Sequence, residues 1–189
     1  MEDALRYLEA GAEVLEDYLL SSHLFWDISS TASKGRRKLP NLTMGGLLLA
    51  WKLAQAGART TEQVARFERA SAKVEAVHRR WQVAWENKCR QSFLNRLNMW
   101  RNFIEEYRDQ PEENADRFAY EVRWRAMLHL LQAEGQPIEP AVLNLLEMMD
   151  KILRHVLRPG PFVWQEELSG GFPQEEYWFL YGQLPRELN

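Results

Sequence analysis

The stretch TTEQVARFERASAKVEAVHRRWQVAWENKCRQSFLNRLNMWRNFIEEYRDQ, residues 60–110, decides the fold. It runs for fifty-one residues without a glycine or a proline, between Gly57 and Pro111. Thr60 and Thr61 can each accept a backbone N–H as a helix N-cap, and Glu62 suits the positive start of a helix dipole. Apolar side chains recur at Phe67, Ala70, Val74, Val77, Trp81 and Ala84, and again at Phe93, Leu97, Trp100, Ile104 and Tyr107. Gaps of three and four keep such a stripe on one helix face. Between the two runs, Trp81, Trp85, Cys89, Phe93 and Leu97 are each four apart, so the stripe drifts around the helix as at a coiled-coil stutter.

Length is the difficulty. An unbroken helix here would be roughly 75 Å long, whereas a compact chain of 189 residues is about 40 Å across. The stretch must bend or break, or else project and be covered by another subunit. The polar run from Asn87 to Ser92 is the predicted break, and the continuous stripe argues for the alternative, a projecting helix covered by another subunit.

Working toward the N-terminus, Leu47, Leu48, Leu49, Trp51, Leu53 and Ala54 are apolar almost all round, which places their helix centrally in the core. Thr43 is its predicted cap and Gly57 its predicted left-handed stop. Gly45 and Gly46 allow a neighbour to come close. Before it, residues 21–40 read as an exposed loop ending in the basic run Arg36, Arg37, Lys38. Residues 2–22 form an amphipathic first helix, with Leu5, Leu8, Ala12, Leu15 and Leu19 on one stripe.

Toward the C-terminus, Pro111 marks a turn, residues 113–134 read as one helix, and Pro140 opens another that Pro159 and Pro161 stop. The remaining residues crowd Phe162, Val163, Trp164, Phe172, Tyr177, Trp178, Phe179 and Tyr181 among glycines and prolines. Disordered tails are poor in aromatics, so this one is expected to dock, with a short helix over 174–181. The predicted architecture is all-α: an irregular bundle of about five principal helices over residues 1–157, with a long central helix and a docked aromatic tail over 158–189.

Composition excludes several classes. Cys89 is the only cysteine, so no intrachain disulfide exists. The acidic, amphipathic start is unlike a signal peptide, and the most apolar segment carries Lys52 and Gln55 and is short of the roughly 20 residues that span a bilayer. A cytoplasmic protein with no membrane partner is expected, and its arginine-rich usage suits a bacterial source. Net charge is −3, yet residues 51–110 carry +5 and residues 111–189 carry −6. A basic central helix beside acidic later ones explains that split, and the overall acidity argues against a nucleic-acid partner.

The search for chemistry yields candidates rather than a motif. Glu75 and His78 make one Glu-x-x-His pair, half of what a di-iron bundle uses, so they are weak metal candidates. Pairs Glu13/Glu16 and Glu147/Asp150 could face each other around Mg²⁺, although they suit wet helix faces better. His78, Trp81 and Trp85 share a helix face, and Trp124 sits between Arg123 and Arg125. Aromatics beside arginines can line a pocket for a planar or anionic ligand, or can simply fill a core. Arg36, Arg37 and Lys38 are candidates for anion contact, without P-loop spacing. No cofactor is implied. The leading expectation is a non-catalytic protein acting through protein–protein contacts or as a homodimer. The second is a small-molecule or metal-binding helical protein, or an enzyme of that kind, with a pocket near His78, Trp81 and Trp85. Nucleic-acid binding through the basic residues is the third.

Overall fold

A computed structural model describes residues 1–28, 38–135 and 137–187. The chain is an all-α bundle with a small two-stranded sheet near its C-terminus. Among the described residues no helix is long and apolar enough to cross a membrane.

Helix α1 (Glu2–Leu20) buries Leu5, Leu8, Leu15 and Leu19, the stripe its spacing predicts. Helix α2 (Met44–Gly57) begins where Thr43 accepts the Gly46 N–H at 3.1 Å. The two helices run antiparallel, because Gly46 lies against Tyr7 and Gly57 against Met1. A side chain at Gly46 would bring its Cβ within 2.6 Å of the Tyr7 hydroxyl, so the glycine there is a condition of the α1–α2 approach. Gly57 corrects its predicted role. It is the last helical residue rather than a left-handed stop, with the side-chain ends of Leu168 and Met1 lying against it.

The long stretch is two helices, α3 (Thr61–Arg80) and α4 (Gln82–Asp109). Thr60 and Gln63 complete a capping box at the start of α3. The break falls at Trp81, whose backbone leaves helical values at φ −121° and ψ 37°, not in the predicted run 87–92. Hydrogen bonds from Trp81 N to Val77 O and from Trp85 N to Trp81 O, both 2.9 Å, bridge it, so the feature is a one-residue kink.

Tertiary contacts set its position. Ion pairs of Arg66 with Glu2 and Glu9, Lys73 with Glu13 and Arg80 with Glu16 fasten α3 along α1. Since α1 ends at Leu20, a straight continuation would carry Trp85, Cys89 and Phe93 past the end of its support. After the kink all three are fully buried. The polar run expected to break the helix does different work. Lys88, only 3% exposed, donates to Ser21 O at 2.7 Å and His23 O at 3.0 Å beyond the end of α1, and Ser92 Oγ accepts the Gly45 N–H at the start of α2.

Helix α4 packs most extensively on α7 (Arg123–Glu134), which in turn packs on α2. The single helix expected over 113–134 is instead α5 (Pro111–Asn114), a 3-10 turn (Ala115–Arg117), α6 (Phe118–Glu121) and α7. Asn114 is the reason for the early interruption: it is buried, and its side-chain amide donates to Glu106 O and Gln110 O at the end of α4. Helix α8 (Pro140–Val156) starts with proline at its first position, as predicted.

The tail docks on the bundle. Strands β1 (Arg158–Phe162) and β2 (Tyr181–Gln183) pair antiparallel. Phe162, Phe172, Tyr177 and Phe179 are buried between the strands and the helices. In place of the helix expected over 174–181 there is one 3-10 turn, Trp178–Leu180, leading into β2. Trp164 Nε1 donates to Ala119 O, and the Tyr107 hydroxyl to Pro185 O, both at 2.9 Å.

This core has a pH signature. Burial pushes the Cys89 thiol well above the ordinary range of about 8.5. It pushes Tyr18, Tyr7 and Tyr107 above the ordinary phenol value of about 10, and Tyr177 up to about 12. Folded values above unfolded ones mean stability that is fully present below about pH 8.5 and is lost as pH rises toward the folded values. Lys88, pushed down by burial, works in the opposite direction in the same window, but it is one group against six, Tyr181 being raised by burial as well. The denaturant midpoint is therefore expected to be flat from pH 7 to 8.5 and to fall by pH 10.5. Cys89→Ala should delay the onset. A midpoint that rises over that interval would refute the assignment.

Candidate functional site

Arg96 is the residue from which the site is built. It falls on the buried side of α4, among Phe93, Leu97 and Trp100, where the stripe calls for an apolar side chain, and it is 6% exposed. Its guanidinium donates to Thr43 Oγ1 at 2.9 Å and to Asn95 Oδ1 at 3.2 Å. The buried Nε has no hydrogen-bond partner among the described residues. No carboxylate there pairs with Arg96 or Arg123 either, whereas Arg66, Arg117 and Arg125 all have one. Burial lowers the pKa of Arg96 and of Arg123; the Arg123 charge lowers that of Arg96 further, while Tyr120 and the nearby Glu121 carboxylate partly offset the shift of Arg123.

Aromatic faces hold these cations instead. The Arg96 guanidinium carbon lies 4.7 Å from the Trp124 ring centre and 5.9 Å from that of Phe25. On α7, Arg123 lies 4.0 Å from Trp124 and 3.2 Å from Tyr120. The order Phe25, Arg96, Trp124, Arg123, Tyr120 alternates ring and cation. Trp124 Nε1 donates to Glu121 Oε2 at 2.7 Å, which fixes the indole plane. Cation–π contact holds a guanidinium in place while leaving its charge uncancelled.

Arg96, Trp124, Arg123 and Tyr120 of this ladder form one wall of a cavity of about 750 Å³, within the range of small-molecule sites. Helix α2 supplies Gly46, Leu49, Ala50 and Leu53 to a second wall, and α1 supplies Ala4 and Tyr7. Tyr7 is a buried member of the wall, donating to Asn41 O at 2.8 Å and accepting the Thr43 N–H at 3.1 Å. Lys38 and Asp3 lie on the rim. Three cations and one carboxylate thus face a space whose walls are otherwise mostly apolar.

The sequence candidates divide. Arg123, Trp124 and Lys38 come together at the cavity, while Arg36 and Arg37 lie outside the described residues. His78, Trp81 and Trp85 do not line it. The His78 ring stacks on Trp85 at 4.2 Å and 16°, and Trp85 is fully buried, so this trio packs the kink between α3 and α4. Trp81 is covered on one face by Arg80 at 5.3 Å. Glu75 is exposed and reaches Arg79 at 3.9 Å rather than joining His78. Among the described residues no group of three His, Cys, Asp or Glu side chains is placed to hold a metal ion. Glu13, Glu16, Glu147 and Asp150 each face a basic side chain.

Sequence reasoning missed Arg96, Tyr7 and Thr43 as site residues. The signal for Arg96 was present, since an arginine three residues from Phe93 and four from Trp100 occupies a core position of its helix. Thr43 read only as a cap, and Tyr7 reaches the site through an approach that the sequence does not announce. No family model, curated protein or solved structure matches the chain.

Proposed function

We propose that this chain is a binding protein for a small organic anion, received in the cavity between α1, α2, α4 and α7. The observation that carries the reading is Arg96, a buried guanidinium held by Thr43 and Trp124 with no carboxylate partner among the described residues. A buried charge that lacks its counter-charge is costly, and an anionic ligand beside Arg96 and Arg123 would supply it. The two cations are positioned before any ligand arrives, which lowers the ordering cost of binding. The proposal is of binding rather than catalysis: the wall offers cations and apolar surface, and the Tyr7 hydroxyl is already engaged on both sides.

Calorimetric titration with benzoate and octanoate tests it. Wild type is expected to bind at one site, and Arg123→Gln should weaken binding by about 10- to 100-fold through loss of charge-assisted hydrogen bonds. Lys151→Gln, on α8 away from the cavity, should change nothing. Equal affinities for wild type and Arg123→Gln would remove the proposal.

Self-association is a second proposal, favoured by Val83 and Leu94, which are 69% and 46% exposed and share a face of α4 at eleven residues' separation. It stands behind the first because two of the three features that suggest it, the long stretch and the aromatic tail rather than the charge asymmetry, have occupants within one chain: the long stretch turns at Trp81, and the tail covers α2 and α7. A native mass spectrum showing one subunit at micromolar concentration would dispose of it. A cytoplasmic setting belongs to the same reading, supported by the free, buried thiol of Cys89.

A further inference from the structure

We infer that the anion this cavity takes is a monocarboxylic acid with an apolar body about 10 Å long, lying along α2 with its head at Arg96. The inference rests on the anion-binding reading and specifies its ligand. Because α1 and α2 are antiparallel, their cavity-facing residues change character together along the helix axes. At one level stand Thr43 and Gly46 of α2 with Tyr7 of α1, next to Arg96 and Trp124. One turn further along α2 come Leu49 and Ala50, and a turn beyond them Leu53, with Ala4 and Asp3 of α1 following Tyr7 in the same direction. Seven residues from Gly46 to Leu53 span roughly 10 Å, on the order of the length of an extended eight-carbon chain.

The charges at the two levels point the same way. Arg96 and Arg123, which share the Trp124 ring, favour one anionic head, and Thr43 accepts a hydrogen bond from the Arg96 fork beside it. At the other level stands the carboxylate of Asp3, ion-paired with Arg6 at 3.3 Å. A second carboxylate on the ligand would be placed against Leu53, Ala4 and a like charge. Burying it there has no compensating partner. A monoacid fits the cavity, whereas a diacid of the same length does not. Inorganic phosphate would satisfy the cations and leave the apolar walls unused.

The experiment is a chain-length series, acetate, butanoate, hexanoate and octanoate, with 1,8-octanedioate and inorganic phosphate as comparators. Each is titrated calorimetrically into wild type, Arg96→Met and Leu53→Glu. Circular dichroism confirms that both variants fold, and Arg123→Gln replaces Arg96→Met if the latter does not. The expected result is affinity rising about fourfold per methylene up to eight carbons. Octanedioate should bind about tenfold more weakly than octanoate. Leu53→Glu should flatten the series, and Arg96→Met should weaken every member. If acetate and phosphate bind as tightly as octanoate, with binding still lost in Arg96→Met, the anion site stands and the apolar body is overturned. If no anion binds, or if the series is unchanged in Arg96→Met and Arg123→Gln, both the inference and the reading beneath it fall.

Discussion

Asp150→Ala is expected to lower the folding free energy by about 3–5 kcal/mol, seen as a large drop in denaturant midpoint. Asp150 on α8 grips Arg125 of α7 with two hydrogen bonds of 2.7 Å, to Nε and Nη2. The Arg125 guanidinium lies 4.5 Å from the centre of the Phe179 ring and the residue is 7% exposed. One clasp therefore joins α7, α8 and the aromatic tail. Removing the carboxylate leaves a guanidinium buried with no counter-charge, and its Nη1 already lacks a hydrogen-bond partner among the described residues. The tail should loosen first, giving early proteolysis within residues 158–187. The double variant Arg125→Met with Asp150→Leu should recover most of the loss, because apolar replacement of a whole buried pair is often close to neutral. A single variant as stable as wild type would show that the clasp contributes nothing.

Trp85→Ala is expected to cost a comparable amount, about 3–5 kcal/mol, without changing octanoate affinity per folded molecule. The indole is fully buried and covered by the His78 ring, so its deletion opens a large void under the kink. Its Nε1 has no hydrogen-bond partner among the described residues, so Trp85→Phe surrenders little beyond volume and should cost under about 1.5 kcal/mol. The pair separates two views of His78, Trp81 and Trp85. As core they affect stability alone, whereas as a ligand pocket they would affect affinity at unchanged stability. Arg96 on the same helix lies eleven residues away, roughly 16 Å along the axis, beyond direct contact with anything held at Trp85.

Much of this architecture was legible because helix periodicity is local. The three-and-four spacing in α1 and α8, the caps at Thr43 and Thr60, and the prolines at 111 and 140 mark their elements from neighbouring residues alone. The kink was not legible for the opposite reason. Nothing near Trp81 breaks a helix, and its position follows from where α1 ends and from the ion pairs that tie α3 to it. The polar residues that seemed to offer a break, Lys88 and Ser92, are polar because other helices' ends need them. The β1 segment, with Pro159 and Pro161, reads as a stop, and its pairing with Tyr181, Gly182 and Gln183, far along the chain, leaves no local trace. Of the site, Arg123 and Trp124 could be found from their adjacency. The cavity itself could not, since it is closed by Tyr7, Thr43, Arg96 and Trp124, residues brought together only by the α1–α2 and α4–α7 approaches.

The central claim is that a ligand's anionic head lies beside Arg96, Arg123 and Trp124. Indole N–H resonances test it most directly. The protein has eight tryptophans, and that of Trp124 is held by its bond to Glu121. The ¹H–¹⁵N spectrum titrated with octanoate should show the Trp124 indole moving saturably, with those of Trp81, Trp85 and Trp100 fixed. Movement at Trp81 and Trp85 with Trp124 unchanged would place the ligand at the kink and contradict the account.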